Sequence, residues 1–112
     1  MDVNVSENKD IKIIEMAGKL DSTSAPEVQQ QILVHIVPDC RIILEMSKCS
    51  YVSSAGLRTL LIIAKALKKE NGNGAMVAVP DEIKDVMEMT GFDDMFDMYK
   101  TLTEAMNSFK KE

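Results

Sequence analysis

Residues 42–69 read IILEMSKCSYVSSAGLRTLLIIAKALKK, and this stretch decides the architecture. The run Ile42-Ile43-Leu44 shows no alternation of apolar and polar positions, which suits a strand buried on both faces. A hydroxyl-rich loop, Ser47 to Ser54, follows it. Ser53 or Ser54 then caps a long helix through about Lys69, with Leu57, Leu60, Leu61, Ala64 and Leu67 at helical spacing as its core stripe. Asn71-Gly72-Asn73-Gly74 breaks the chain, and Ala75 to Val79 reads as a second buried strand. A buried strand, a helix and another buried strand make a right-handed parallel crossover.

Working outward from this unit, the pattern repeats. Upstream, Ile11, Ile13, Ile14 and Met16 mark a strand ending at Gly18. A weaker strand, Val3 to Val5, pairs with it as a hairpin across the polar turn Glu7-Asn8-Lys9-Asp10. Ser24-Ala25-Pro26-Glu27 gives a helix start, in which Ser24 accepts from a backbone N–H three residues on and Glu27 reaches back. Val28, Ile32 and Ile36 form that helix's core stripe, and Pro38 ends it. Downstream, Pro80-Asp81-Glu82 opens a third helix with Ile83, Val86 and Met87 inward, stopped by Gly91. Met95 to Tyr99 reads as a short last strand. Thr101-Leu102-Thr103-Glu104 is a second capping box, followed by Leu102, Ala105, Met106 and Phe109 on one face. The expectation is one α/β domain over residues 1–112, with a mostly parallel mixed sheet, an antiparallel N-terminal edge strand and four helices.

Composition narrows the function. Thirteen basic residues against eighteen acidic ones give a net charge of -5, which argues against nucleic acid or an anionic membrane surface as partner. The longest apolar runs, Leu60 to Ala64 among them, are far short of a membrane span. No basic-then-apolar leader opens the chain, and Cys40 and Cys49 make no disulfide framework, so a cytoplasmic protein with reduced thiols is expected. Nine methionines and few aromatic residues make the core aliphatic and soft.

In parallel sheets, the loops leaving the carboxyl ends of the strands gather on one side and lead into helix N-termini. Asp21, Ser53, Ser54 and Asp81 should therefore share one face. A serine at a helix N-terminus accepts backbone donors, and the same place tolerates a phosphate. Gly56 lies in the first turn of the long helix, where glycine costs about 1 kcal/mol relative to alanine. Either tight packing against the sheet or close approach of a partner explains it. Ser54, Arg58 and Ile62 are spaced i, i+4, i+8 on one stripe, opposite the expected core face, and can serve as a docking strip.

At these residues the sequence resembles a STAS domain, the fold of bacterial anti-sigma factor antagonists. Gly18-Lys19-Leu20-Asp21 is similar to the family's Gly-x-Leu/Ile-Asp, and Ser50-Tyr51-Val52-Ser53-Ser54-Ala55-Gly56-Leu57 to the segment built on Asp-Ser-Ser/Ala-Gly-Leu. Gly91-Phe92 resembles the family's Gly-Leu/Phe pair. The resemblance implies a binding module and not an enzyme, with no cofactor. Its partners would be an anti-sigma factor that is also a serine kinase of the histidine-kinase-like ATPase fold, and a PP2C-type phosphatase. Carried over by position, the phosphorylated serine is Ser54, with Ser53 as the alternative; Asp21, Ser53, Ser54, Gly56, Arg58 and Ile62 would touch the partner. Two positions depart from the family pattern: Ser53 stands where an Asp is usual, and Arg58 where glycine is frequent. A second reading is a STAS-like module that binds a partner or small ligand constitutively, without phosphorylation.

Catalytic and metal readings find little support. His35, the single histidine, lies near the far end of the first helix, roughly 15 Å from Ser54 at ~1.5 Å per residue, which is too far for a triad. Cys40 and Cys49 flank opposite ends of the Ile42–Met46 strand and have no second Cys or His nearby, so no metal site is expected.

Overall fold

A two-residue turn sets the N-terminal hairpin in the computed structural model, which describes residues 1–91 and 96–109. β1 (Asp2–Asn8) and β2 (Ile11–Leu20) pair antiparallel from Asp2↔Ala17 to Asn8↔Ile11. Lys9 and Asp10, between them, both have positive φ (52° and 69°), as a type I′ hairpin requires. β1 extends beyond Val3–Val5 because its ladder with β2 recruits flanking polar residues that no apolar pattern could reveal.

β3 (Arg41–Glu45) lies parallel to β2, β5 (Asn73–Val77) to β3, and β6 (Asp97–Tyr99) to β5, giving the order β1-β2-β3-β5-β6. The unalternating Ile42-Ile43-Leu44 run is wholly buried at the interior of this sheet. Ile42 and Leu44 face a layer formed by α1 (Ala25–Leu33), α2 (Ser54–Lys69) and α3 (Asp81–Thr90), which contribute Val28, Ile32, Leu60, Ile63, Leu67, Ile83 and Met87. Ile43 faces the other way, against Ala105 and Phe109 of α4 (Leu102–Phe109). The fold is thus the expected α/β arrangement.

Several details differ from the sequence expectation. A strand, β4 (Cys49–Val52), lies inside the stretch read as loop and pairs parallel with the carboxyl end of β2. The β2 register shifts between Gly18 and Lys19, and Gly18 takes φ +110°, which a side chain would resist. Four residues with one buried side chain carry too little pattern to announce a strand. α1 ends at Leu33, short of Pro38; a looser turn in which the His35 and Ile36 N–H groups donate to the Ile32 and Leu33 carbonyls still brings Ile36 against the core. In α2 the buried stripe is Gly56, Thr59, Leu60, Ile63, Ala64 and Leu67, so Leu57 and Leu61 are only half-buried. Val86 of α3 points outward, 42% exposed. Thr101 caps α4 as expected, accepting from the Glu104 N–H at 3.2 Å. Phe92 and Met95 lie outside the described residues.

Candidate functional site

The end of β2, the end of β4 and the start of α2 are tied together by backbone bonds. The Gly18 N–H donates to the Lys48 carbonyl (3.0 Å), and the Ser53 N–H to the Leu20 carbonyl (2.9 Å). The Ser50 hydroxyl adds a bond to the Gly18 carbonyl at 3.3 Å. The sequence from Ser50 to Ser54 is therefore held by the scaffold and does not hang as a free loop.

The two serines divide the expected duties. Ser53 has extended backbone (φ -84°, ψ 178°), and its Oγ accepts from the Gly56 N–H at 3.2 Å, which makes it the N-cap of α2. Its own carbonyl accepts the first intrahelical bond from the Leu57 N–H at 2.8 Å. Ser54 is the first residue of the helix and is exposed; its hydroxyl has no protein partner among the described residues. Capping consumes the Gly56 N–H and leaves those of Ser54 and Ala55 directed out of the helix end. No acidic residue lies in the first turn. This is a surface hydroxyl at the positive end of a sixteen-residue helix.

Gly56 is buried and faces inward. A methyl group there would sit 2.5 Å from the Leu20 carbonyl oxygen and 2.9 Å from side-chain atoms of Leu20 and Val52. Of its two readings, packing is the one the geometry satisfies, so Gly56 positions the site without presenting a surface to a partner. Arg58 is exposed and makes no ion pair among the described residues. It lies one turn from Ser54, where side-chain bases are about 5–6 Å apart. Ile62, one turn further, is half-buried.

Asp21 follows Leu20 directly and organises the neighbouring loop. Its carboxylate accepts from the N–H groups of Ser24 (3.1 Å) and Thr23 (3.0 Å), the first of which contributes most to holding its pKa below the usual 3.8. Ser24 does not perform the capping expected of it: its backbone is already helical and its hydroxyl turns back, donating to the Lys19 carbonyl at 2.8 Å and accepting from the Asp21 N–H at 3.0 Å. Asp81 shares the carboxyl edge of the sheet but follows β5, with β3 between it and β2. It lines a separate cleft of about 660 Å³ with Pro80, Lys84, Tyr99, Lys100 and Glu104. The candidate site is thus Asp21, Ser53, Ser54 and the outer face of α2.

His35 stands beyond the C-terminal end of α1, where burial first and the Lys12 ammonium second push its pKa below 6.5. Both thiols are buried, and burial pushes the Cys49 pKa up, which keeps that sulfur protonated. Among the described residues no group of His, Cys, Asp and Glu side chains could hold a metal ion, and no helix is long and apolar enough to cross a membrane.

The STAS domain profile matches residues 2–105, nearly the whole chain. The chain belongs to the STAS domain family. The anti-sigma-B factor antagonist of Bacillus subtilis is 27% identical to it over 100 residues, 88% of this chain and 90% of the relative. An anti-sigma factor antagonist of Mycobacterium paratuberculosis has the same fold, with a TM-score of 0.86 at 24% identity over 98% of this chain and 94% of that one. SpoIIAA, an anti-sigma factor antagonist of Bacillus whose phosphorylated form has been solved, superposes with a TM-score of 0.75 at 17% identity, covering 96% of this chain and 99% of that one. In this STAS chain the helix-capping site is occupied by Ser53, and capping is a task that Asp and Ser perform about equally well.

Residues that the sequence did not single out also face this site. Tyr51, on β4, is 51% exposed beside the two serines. Leu61 joins Ile62 as half-buried apolar surface on α2, while half-buried Leu57 also packs against the core. The signal for Tyr51 was available, since it is one of two tyrosines and sits among hydroxyl residues. That for Leu61 was not, because leucines at helical spacing read as core.

Proposed function

We propose that this chain is an anti-sigma factor antagonist that works by partner switching. Unmodified, it docks through Ser54 and the outer face of α2 onto an anti-sigma factor that is also a serine kinase of the histidine-kinase-like ATPase fold, and so frees a sigma factor in the cytoplasm. The kinase phosphorylates Ser54 and a PP2C-type phosphatase restores it. The chain itself performs no catalysis.

The observation that carries this reading is the division of labour between Ser53 and Ser54. With Ser53 supplying the cap, the Ser54 hydroxyl is free for an incoming phosphoryl group, and modification breaks no bond of the fold. A phosphate there adds about -1.5 to -2 charge at a helix N-terminus, where the dipole, two free N–H groups and Arg58 favour it. The scaffold is therefore indifferent to the switch, and the effect falls on the docked partner. A dianion placed in a packed interface must be desolvated or meets like charge.

Incubation with the cognate kinase and ATP, followed by peptide mapping, tests the assignment. The expected result is a gain of about 80 Da on the peptide carrying Ser54, abolished in Ser54→Ala and retained in Ser53→Ala. Phosphate on Ser53 would refute the assignment. No phosphate at all, with binding intact, would favour the constitutive module, a reading that the absence of the usual Asp at position 53 supports.

A further inference from the structure

We propose that the outer edge of β1 is a self-association surface, on which a second copy of this chain adds its own β1 antiparallel about a two-fold axis at Val5. Apart from the four-residue β4, which pairs only with the end of β2, the sheet has two edges. β6 offers three residues, too few for a ladder, whereas β1 offers seven. Edge strands that avoid pairing are shortened, bulged, or carry Lys or Pro along the edge. β1, with the sequence DVNVSEN, has no bulge, Lys or Pro, carries its two charges Asp2 and Glu7 near its ends, and pairs with β2 without interruption.

The hairpin turn fixes which backbone groups are free. In a two-residue hairpin the residues flanking the turn form a hydrogen-bonded pair, here Asn8 and Ile11, and such pairs alternate along the strands. Asn8, Ser6, Asn4 and Asp2 therefore bond inward to β2. The N–H and carbonyl groups of Val3, Val5 and Glu7 point away from the sheet, three donors and three acceptors on one straight edge.

The side chains then select a register. With the two-fold axis at Val5, Val5 meets its symmetry mate, Val3 meets Glu7, Asn4 meets Ser6, and Asp2 meets Asn8. All seven residues pair and no two like charges are opposed. Glu7 is already held by Lys12 of the same protomer at 3.4 Å. An axis at Glu7 would set two carboxylates against each other, and an axis at Val3 would leave Ser6, Glu7 and Asn8 unpaired. Val5 itself is 40% exposed, on the same side of the sheet as buried Ile14, so its mate would cover apolar surface. A single strand pair buries less than the roughly 1,600 Å² of a standard interface, so the association is weak and concentration-dependent. The operation closes at two copies. Antiparallel pairing sends the carboxyl edges of the two β2 strands in opposite directions, so each Ser54 face remains free, and the dimer presents two of them.

Sedimentation and amide hydrogen exchange of the full chain, from about 10 μM to about 1 mM, test the inference over the range of weak affinities. The expected result is a twofold rise in mass, with exchange at Val3, Val5 and Glu7 slowing at least tenfold as concentration rises. Val5→Lys, which opposes two cations at the axis, should stay at the mass of one chain. Val5→Pro, which removes an outward N–H while sparing the ladder to β2, should do the same. A wild type that remains a single chain at 1 mM would overturn the proposal, as would association without protection at those three amides. So would protection that does not depend on concentration, which would mean some other occupant of the edge. The exchange measurement needs no variant to fold.

Discussion

Two adjacent serines at the head of α2 have the same side chain and opposite duties, and backbone geometry separates them. Ser53 is extended and turns its oxygen onto the Gly56 N–H; Ser54 is one residue inside the helix, with its hydroxyl in solvent. Sequence alone placed a cap at 53 or 54 because either serine satisfies the preference. Only the direction of the chain leaving β4, fixed by the bond from the Ser53 N–H to the Leu20 carbonyl, decides between them. Ser53→Ala should therefore lower stability by about 0.5–2 kcal/mol, the usual loss of a cap. Ser54→Ala should stay within about 0.5 kcal/mol of the wild type, as an exposed position without partners does. Thermal or urea unfolding of the two variants checks this, and equal losses would mean that the cap is shared. Asp21 makes the same point. Its family-like position was visible in the sequence, but its work on the Thr23 and Ser24 N–H groups was not, since Ser24 carried the stronger textual signal for a cap.

At the scale of elements, the helices were legible in extent and less so in rotation. α2 was expected to bury Leu57 and Leu61. Leu57 packs against the core but stays half-buried, Leu61 is half-buried, and Thr59 and Ile63 are buried instead, because Gly56 must face the Leu20 carbonyl and its close approach fixes the azimuth of the helix. The consequence is functional. Leu61 and Ile62 become apolar ground beside exposed Ser54 and Arg58, a composition suited to protein contact. Arg58→Ala and Leu61→Ala should each weaken binding to the cognate anti-sigma factor about tenfold, which is about 1.4 kcal/mol, with melting temperature nearly unchanged for Arg58→Ala. Calorimetric titration beside thermal melts checks both. Loss of stability in Arg58→Ala without loss of affinity would return Arg58 to a structural role. β4 was hidden because four residues with one buried side chain carry no period, whereas β3 was plain from three adjacent apolar residues.

For the whole molecule, the order of strands and helices followed from the central crossover, and the carboxyl edge of the sheet followed from the order. That edge is longer than one site: β3 separates the Asp81 end from the Ser54 end, so the residues expected together form two places. Sequence gave the side of the sheet but not the distance along it, since strand order fixes lateral position and no local pattern encodes it. A phosphate on Ser54 is proposed to act on the partner and to leave the fold alone. The most direct measurement is a titration of the cognate anti-sigma factor with the unmodified chain and with the chain phosphorylated at Ser54, each paired with a thermal melt. The expected result is an affinity at least a hundredfold lower for the phosphorylated chain, about 2.7 kcal/mol, with nearly coincident melting curves. Equal affinities, or a loss of affinity accompanied by a matching loss of stability, would contradict it.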